Sequence, residues 1–383
     1  MTTSSPLRLA TSLFTATYAT RPTLAASAPG RVNLIGEHLD YNGGPVLPLA
    51  VRRRTAVVAA PAEGWWATSA RGGSAGPFDP EAPPAGHWTD YLAGVVRTLR
   101  GGGAPLAGAQ IAVASDVPAG AGLASSAALT LAAARVLARL SGRRLGAAGL
   151  AEVAHHAEHD EVGVRGGRMD QVIGAHARAD TALLYESATG EMRHLPFRLP
   201  VHVLETGVTR ALAAGALNER RAECEAAAVT LTGQGLLEGP LASLPPDRLG
   251  EAEVLLPAPL ARRVRHVVTE TARVHGAVAS IESDDLAGLG RLLAEGHASL
   301  RLDFESSCAE ADLLVETLLH HGAHGARLTG AGWGGAVLAL LPAGREREIL
   351  RRTRTVYEAA FGRPVVCWQT RPAGHARLEE IPD

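Results

Sequence analysis

The stretch APGRVNLIGEHLDYNGG, residues 28–44, sets a guanidinium, two carboxylates and an imidazole (Arg31, Glu37, Asp40 and His38) between glycines and beside Asn33 and Asn42. Polar groups at this density are costly to bury unless they find partners. They form either a solvated loop or the wall of a polar pocket. The apolar residues around them, ending in Val46-Leu47-Pro48, are strand-like. Binding residues commonly sit on loops held by such a scaffold, so the pattern points to a small-molecule site.

Further segments carry candidate chemistry. In DVPAGAGLASSA, residues 116–127, glycines run directly into a helix. Such a loop lets backbone approach a ligand, and the free amides of a helix N-terminus attract anions. Ser125 and Ser126 either cap that helix or offer hydroxyls to a phosphate or a divalent metal. The segment is neither a Walker A loop, since no Lys is present, nor a dinucleotide fingerprint, since the glycine spacing differs. In GVRGGRMDQ, residues 163–171, Asp170 follows a glycine cluster and by itself reads as a helix cap. His155-Xaa-Xaa-Glu158-His159 would put two imidazoles on one helix face, which allows a zinc site. No distal acidic ligand accompanies it, and a polar helix face with Glu158 aimed elsewhere accounts for the same residues. LTGAGWGGA, residues 328–336, is a second glycine-dense loop, which alone reads as a tight turn between strands.

Composition bounds what these residues can be part of. A length of 383 residues suggests two domains, at ~150 residues each. Hydrophobic content is 46% but aromatics are 4%, so the cores must be built from Leu, Val and Ala. The formal net charge of −2 provides no field for nucleic acid or an anionic membrane. All basic side chains other than His are Arg, which excludes a Schiff-base or nucleophilic lysine. Cys224, Cys308 and Cys367 are scattered, so neither a disulfide framework nor a zinc ribbon is implied. The N-terminus lacks a basic region before an apolar core, and the apolar run Ala127–Leu140 is broken by Arg135 and Arg139. The expectation is a soluble cytoplasmic protein without nucleic-acid or membrane partners.

Periodicity and breakers then place the elements. Helices are predicted over Leu7–Tyr18, Trp88–Arg100, Ser125–Leu140, Leu150–Val162, Arg210–Thr232, Pro259–His275, Asp284–Ser299, Ala309–His321 and Arg345–Phe361. Strands are predicted over Ala50–Ala60, Ala109–Val113, Thr181–Tyr185, Pro200–Leu204, Ala336–Leu341 and Val365–Trp368. Gly64–Gly86 reads as an irregular excursion, and a break near Leu195–Pro200 separates two parts of an α+β enzyme.

Together these segments resemble the galactokinases of the GHMP kinase family over almost the whole chain. GRVNLIGEHLDYNGG is similar to the galactokinase signature, PAGAGLASSAA to the phosphate-binding loop and LTGAGWGGA to the C-terminal glycine motif. AEHDEVGVRGGRMDQ, Trp88-Xaa-Xaa-Tyr91-Xaa-Xaa-Gly94 and Asn218-Xaa-Arg220-Arg221-Xaa-Xaa-Cys224 match further family segments. The resemblance implies an α+β fold in two domains. Residues 1–198 would be a ribosomal-S5-domain-2-like domain and residues 199–383 a ferredoxin-like domain, with ATP and sugar in the cleft between them. It implies catalytic roles for Asp170 and Arg31, and sugar binding by Glu37, His38, Asp40 and the Gly167 backbone. Gly120, Gly122, Ser125 and Ser126 would cradle the phosphates of ATP, with Trp88 near the adenine, and Ser126 and Glu158 would hold Mg²⁺. The implied reaction is phosphorylation of the C1 hydroxyl of galactose.

The chain departs from the family at three places. Ala124 stands where Ser is usual, Thr130 where an acidic residue is usual, and Leu217 where a sugar-contacting Tyr is usual. Leu217 keeps open a related sugar kinase acting on N-acetylgalactosamine or arabinose. A non-catalytic galactose sensor is the alternative from another class, opposed by the intact Ser125-Ser126-Ala127, Arg31 and Asp170. A mevalonate- or homoserine-type kinase is opposed by the Glu37-His38-Xaa-Asp40 cluster, because those substrates lack a ring of hydroxyls.

Overall fold

Alternation in the first long strands explains how the chain makes its first layer. The computed structural model describes residues 5–208 and 213–382. Helix α1 (Pro6–Tyr18) starts at Ser5, whose hydroxyl accepts the Arg8 amide. Strand β1 (Leu24–Asn33), β2 (Pro45–Val46) and β3 (Pro48–Pro61) follow, then β4 (Trp65–Ser69), β5 (Gly73–Pro77), α2 (Thr89–Gly101) and β6 (Ala109–Ser115). Five of these strands lie side by side in the order β1-β3-β6-β4-β5. In β3, Ala56, Val58 and Ala60 join Phe14 of α1 on one face, and Val57 and Ala59 belong to the core on the other. That two-residue period is the geometry of a strand with both faces covered.

The second face is covered by α2, α3 (Ser125–Leu140) and α4 (Ala147–His156). Helix α4 passes into a π-helical turn, Ala157–Val162, which is followed by α5 (Met169–His176), β7 (Thr181–Glu186) and β8 (Met192–Pro196). Strands β7 and β8 form a three-stranded sheet with β2.

The remaining elements are β9 (Val201–Glu205), α6 (Ala213–Gly233), α7 (Leu249–Leu255), α8 (Ala258–Glu282), α9 (Leu286–Leu302), α10 (Ala309–His320), β10 (Gly325–Thr329), β11 (Ala336–Leu340), α11 (Glu346–Phe361), β12 (Val366–Thr370) and β13 (Arg377–Leu378). Strands β10-β11-β9-β12 make an antiparallel sheet in that order. Helices link β9 to β10 and β11 to β12, which is the ferredoxin-like arrangement. Strand β13 returns to pair with β1 in the first sheet. One apolar cluster runs from Val32, Leu34 and Leu39 through Leu123 and Ile173 to Val264 and Leu328. The loops of both halves therefore stand on common packing.

Several elements differ from expectation. Gly64–Gly86 contains the edge hairpin β4–β5, in which Trp65 and Ala67 are buried and Trp66 is exposed. Its alternation is too short to stand out among Gly, Ala and Pro. Strands β1, β2, β8, β10 and β13 and helices α5 and α7 were not predicted. The helix predicted over Leu150–Val162 begins earlier and ends as the π turn. For the helix predicted over Arg210–Thr232, residues 209–212 lie outside the described residues, and the chain is helical from Ala213. Among the described residues, no helix is long and apolar enough to cross a membrane.

Helix α2 meets the π turn at Gly94, where a Cβ would lie 2.8 Å from the carbonyl oxygen of Ala157. Gly94→Ala is expected to cost about 1–3 kcal/mol in urea unfolding, the usual penalty for overpacking. A change below about 0.5 kcal/mol would mean that the two elements do not depend on this close approach.

Candidate active site

The ends of these elements surround a cavity of about 330 Å³. Arg31 enters it from β1, where the register against β3 shifts between Pro29 and Arg31. A bulge of this kind re-aims the side chain. Arg31 Nε donates to Asp170 Oδ1 at 2.7 Å and Nη2 to Oδ2 at 3.0 Å, while Nη1 donates to the Gly122 carbonyl. The bidentate pair fixes the orientation of both groups. Asp170 lies in the first turn of α5, where the helix dipole favours a carboxylate.

One wall is the loop after β1. His38 adopts a positive φ of 67°. Its ring stacks on Phe304 at 4.2 Å, and its Nδ1 lies 2.8 Å from the Tyr41 hydroxyl. The side-chain amide of Asn42 donates to the His38 carbonyl at 2.7 Å, which closes the loop on itself. Asp40 reaches Gly167 so closely that a Cβ there would lie 2.0 Å from its Oδ2, so only glycine fits. Burial, then the nearby charge of Asp170, pushes the Asp40 carboxyl up to about 6. The Glu37 carboxylate is buried, with Oε2 2.6 Å from Arg327 Nη2, and burial pushes it up to about 7 against the pull of that arginine.

The opposite wall is the glycine loop and the start of α3. Its N-cap is Ala124 in the left-handed region, and no side chain caps the helix. Ser125 and Ser126 are therefore not caps. They line the cavity with Gly120 and Gly122, beside first-turn amides that are open to an anion. Glu158 comes in from the π turn. Its Oε1 accepts from Thr130 Oγ1 at 2.9 Å and from Gln171 Nε2 at 3.0 Å, and burial pushes it up to about 7. Ser126 and Glu158 thus offer oxygen donors on one side of the cleft.

A family model described as the galactokinase galactose-binding signature matches residues 12–61. The GHMP kinase N-terminal and C-terminal domains match residues 90–178 and 277–359. A galactokinase of Roseiflexus sp. (strain RS-1) is 39% identical, covering 92% of each chain. One from Streptomyces coelicolor is 38% identical, covering 94% of this chain and 95% of its own. The chain belongs to the galactokinases of the GHMP kinase family. The crystal structure of Lactococcus lactis galactokinase complexed with galactose superposes with a TM-score of 0.91 at 28% identity, covering 96% of this chain and 98% of that one. A mevalonate kinase at 15% identity, with a TM-score of 0.68, shares the fold. As a galactokinase-family member the chain is a kinase, a phosphotransferase that uses ATP.

Arg31, Glu37, His38, Asp40, Gly120, Gly122, Ser125, Ser126, Glu158, Gly167 and Asp170 all line the one cleft. Trp88 does not. It stands at the N-cap of α2, its indole against Gly72, and Tyr91 one turn later lines the cleft instead. The zinc arrangement is not formed. His155 and His159 do share a face, their ring centroids 5.2 Å apart, but His159 pairs with Asp160 and Glu158 turns inward to Gln171. Among the described residues, no group of three or more His, Cys, Asp or Glu could hold a metal. Sequence reasoning gave no role to Gln171 or Arg327. Gln171 directly follows Asp170, which was a usable signal, whereas Arg327 sits in an otherwise apolar strand that gives none.

Because the Asp40 carboxyl is raised, the folded chain holds its proton more tightly than the unfolded chain. The Asp40 contribution to ligand-free stability therefore falls as pH rises from about 4 to about 6 and is level above that. Asp40→Asn is expected to stabilise the ligand-free protein by about 1–2 kcal/mol at pH 8 in urea unfolding, with the gain vanishing near pH 4. A pH-independent loss of stability would overturn this cause.

Proposed function

We propose that the chain transfers the γ-phosphoryl group of ATP to the anomeric C1 hydroxyl of galactose, giving galactose 1-phosphate. The observation that carries this reading is the bidentate Arg31–Asp170 pair. It stands between an uncapped helix N-terminus suited to phosphates and a wall of Glu37, His38 and Asp40 suited to hydroxyls. The galactose in the Lactococcus lactis relative supports the same acceptor.

In this reading Asp170 accepts the hydrogen of the anomeric hydroxyl and orients its oxygen. Arg31 orients the Asp170 carboxylate through two hydrogen bonds and faces the negative charge that develops on the transferring group. The amides at the start of α3, with Gly120, Gly122, Ser125 and Ser126, hold the phosphates. Glu37, His38, Asp40 and the Gly167 backbone hold the sugar. Phosphoryl transfer asks little more of a protein than positioning and charge neutralisation.

Ser126 and Glu158 are the proposed Mg²⁺ ligands. One carboxylate and a hydroxyl suit a cation that keeps its waters and binds substrate phosphates, rather than one needing a cage of protein ligands. When bound, Mg²⁺ supplies positive charge to the β- and γ-phosphates. Residues 1–198 and 199–383 are the proposed domains, with the chain end crossing back through β13. Dependence on ATP favours a cytoplasmic setting.

ADP release measured by a coupled assay across hexoses, hexosamines and pentoses tests the reading; galactose is expected to lead, and release no faster than a sugar-free control would end it. Asp170→Asn is expected to lower turnover at least ~10²-fold while ATP binding survives. A folded variant with near-normal activity would remove Asp170 from the reacting atoms.

Leu217 supports a second reading, that the pocket also takes a substituted or related sugar such as N-acetylgalactosamine or arabinose. It lines the cleft without a hydroxyl or a ring face. A missing neutral hydrogen bond is worth only ~0.5–1.5 kcal/mol, so galactose stays a substrate. Leu217→Tyr is expected to lower the KM for galactose and narrow the sugar range; an unchanged sugar panel would leave Leu217 without a part in selectivity.

A further inference from the structure

The sugar wall leans on a charged cluster that belongs to the other half of the chain. Arg327, on β10, is fully buried, and its Nη2 lies 2.6 Å from Glu37 Oε2 and 2.8 Å from Glu270 Oε1. Glu270, on α8, is also fully buried and is braced by Arg273 Nε at 2.7 Å. The same Glu270 Oε1 accepts the amide of Gly36, the residue before Glu37, at 2.9 Å. His266 Nε2 lies 3.2 Å from the Glu37 carbonyl. Two residues on from Arg327, Thr329 Oγ1 accepts the Asn33 amide at 2.9 Å and donates to the Asn33 carbonyl at 3.0 Å. Residues i and i+2 share a strand face. One face of β10 thus grips both ends of the segment 33–37, at backbone and at side chain.

We infer that Arg327 is the positioning residue for Glu37: it holds that carboxylate at the sugar wall, and Glu270 with Arg273 holds Arg327. The inference rests on the reading of Glu37 as a sugar ligand and adds which residues make it one. Arg327 is shared between two carboxylates. Glu270 has the second arginine as well, and its carboxyl is held well below the usual range despite burial. Glu37 has the weaker claim and would turn away or take a proton if Arg327 were lost. A buried carboxylate stripped of the arginine in direct contact with it is the costly case. Arg327 touches neither sugar nor nucleotide in this arrangement, because it is absent from the residues lining the cleft.

The test is steady-state kinetics with galactose and ATP on Glu37→Gln, Arg327→Met, Arg327→Lys and the double variant Glu37→Gln/Arg327→Met. Arg327→Met is expected to raise the sugar KM ~10-fold or more, the scale of one hydrogen bond to a charged group. The ATP KM should stay within about twofold, because the phosphate loop does not meet this cluster. Arg327→Lys should fall between the Met variant and the wild type. On the Glu37→Gln background, Arg327→Met should add less than about twofold, since its effect runs through the carboxylate. Equal rises in both KM values, or additive effects in the double variant, would overturn the inference. If circular dichroism finds Arg327→Met unfolded, Arg327→Lys carries the test, and a wild-type sugar KM there overturns it. A Glu37→Gln enzyme with unchanged sugar KM would instead overturn the sugar-ligand reading of Glu37.

Discussion

Among the described residues, Arg31 is the one arginine lining a cleft that also holds the carboxyl groups of Glu37, Asp40, Glu158 and Asp170. Much of the surrounding structure follows from where that guanidinium is spent. It goes to Asp170 through two nitrogens and to the Gly122 carbonyl through the third. These bonds tie the bulged end of β1, the glycine loop before α3 and the first turn of α5 to one group. For Asp40 and Glu158, burial and the charge of Asp170 outweigh the hydrogen bonds they accept and push their carboxyls up to about 6 and about 7. Cations and hydroxyls brought by substrates are what this cleft lacks. Its ligand-free form is less stable than an apolar pocket of the same size would be, as functional sites commonly are.

The same logic explains the division of labour between the halves. The first half supplies the polar side chains, and the second supplies packing and counter-charge through β10, α8 and Phe304. A loop with Asn33, Glu37 and His38 buried in it could not be held by its own half alone, because buried charges need partners. The partners come from residues more than two hundred positions later.

That distance sets what the sequence can reveal. The sugar loop, the phosphate loop and Asp170 were legible because their chemistry is written in consecutive residues. Helix α3 was legible to the residue, because a long apolar period follows a glycine loop. Helix α5 was not, since eight residues with an internal glycine give too few turns to establish a period. Strand β10 was missed because its five residues are buried on both faces and read as an apolar run with one stray arginine. Arg327 looked like an interruption and is a partner. Trp88 shows how a motif and a cavity can part company. A motif fixed its position in sequence, but the helix start turns its indole toward Gly72 and gives the cleft to Tyr91.

The start of α3 shows how backbone geometry decides a question that residue types leave open. Ser125 and Ser126 could have been caps or ligands. A side-chain cap requires an N-cap residue in the extended region, so that its oxygen reaches back over the N2 or N3 amide. Ala124 instead sits at φ 58° and ψ 43°. In that conformation an N-cap hydroxyl would point elsewhere, so replacing the family's usual Ser by Ala removes no cap. Holding a non-glycine residue there costs about 1–2 kcal/mol, and leaving the first-turn amides to water rather than to a protein acceptor is a smaller cost. Neither cost serves the ligand-free fold. Both become useful when an anion meets the amides, which supports the proposed role of this helix end in holding phosphate.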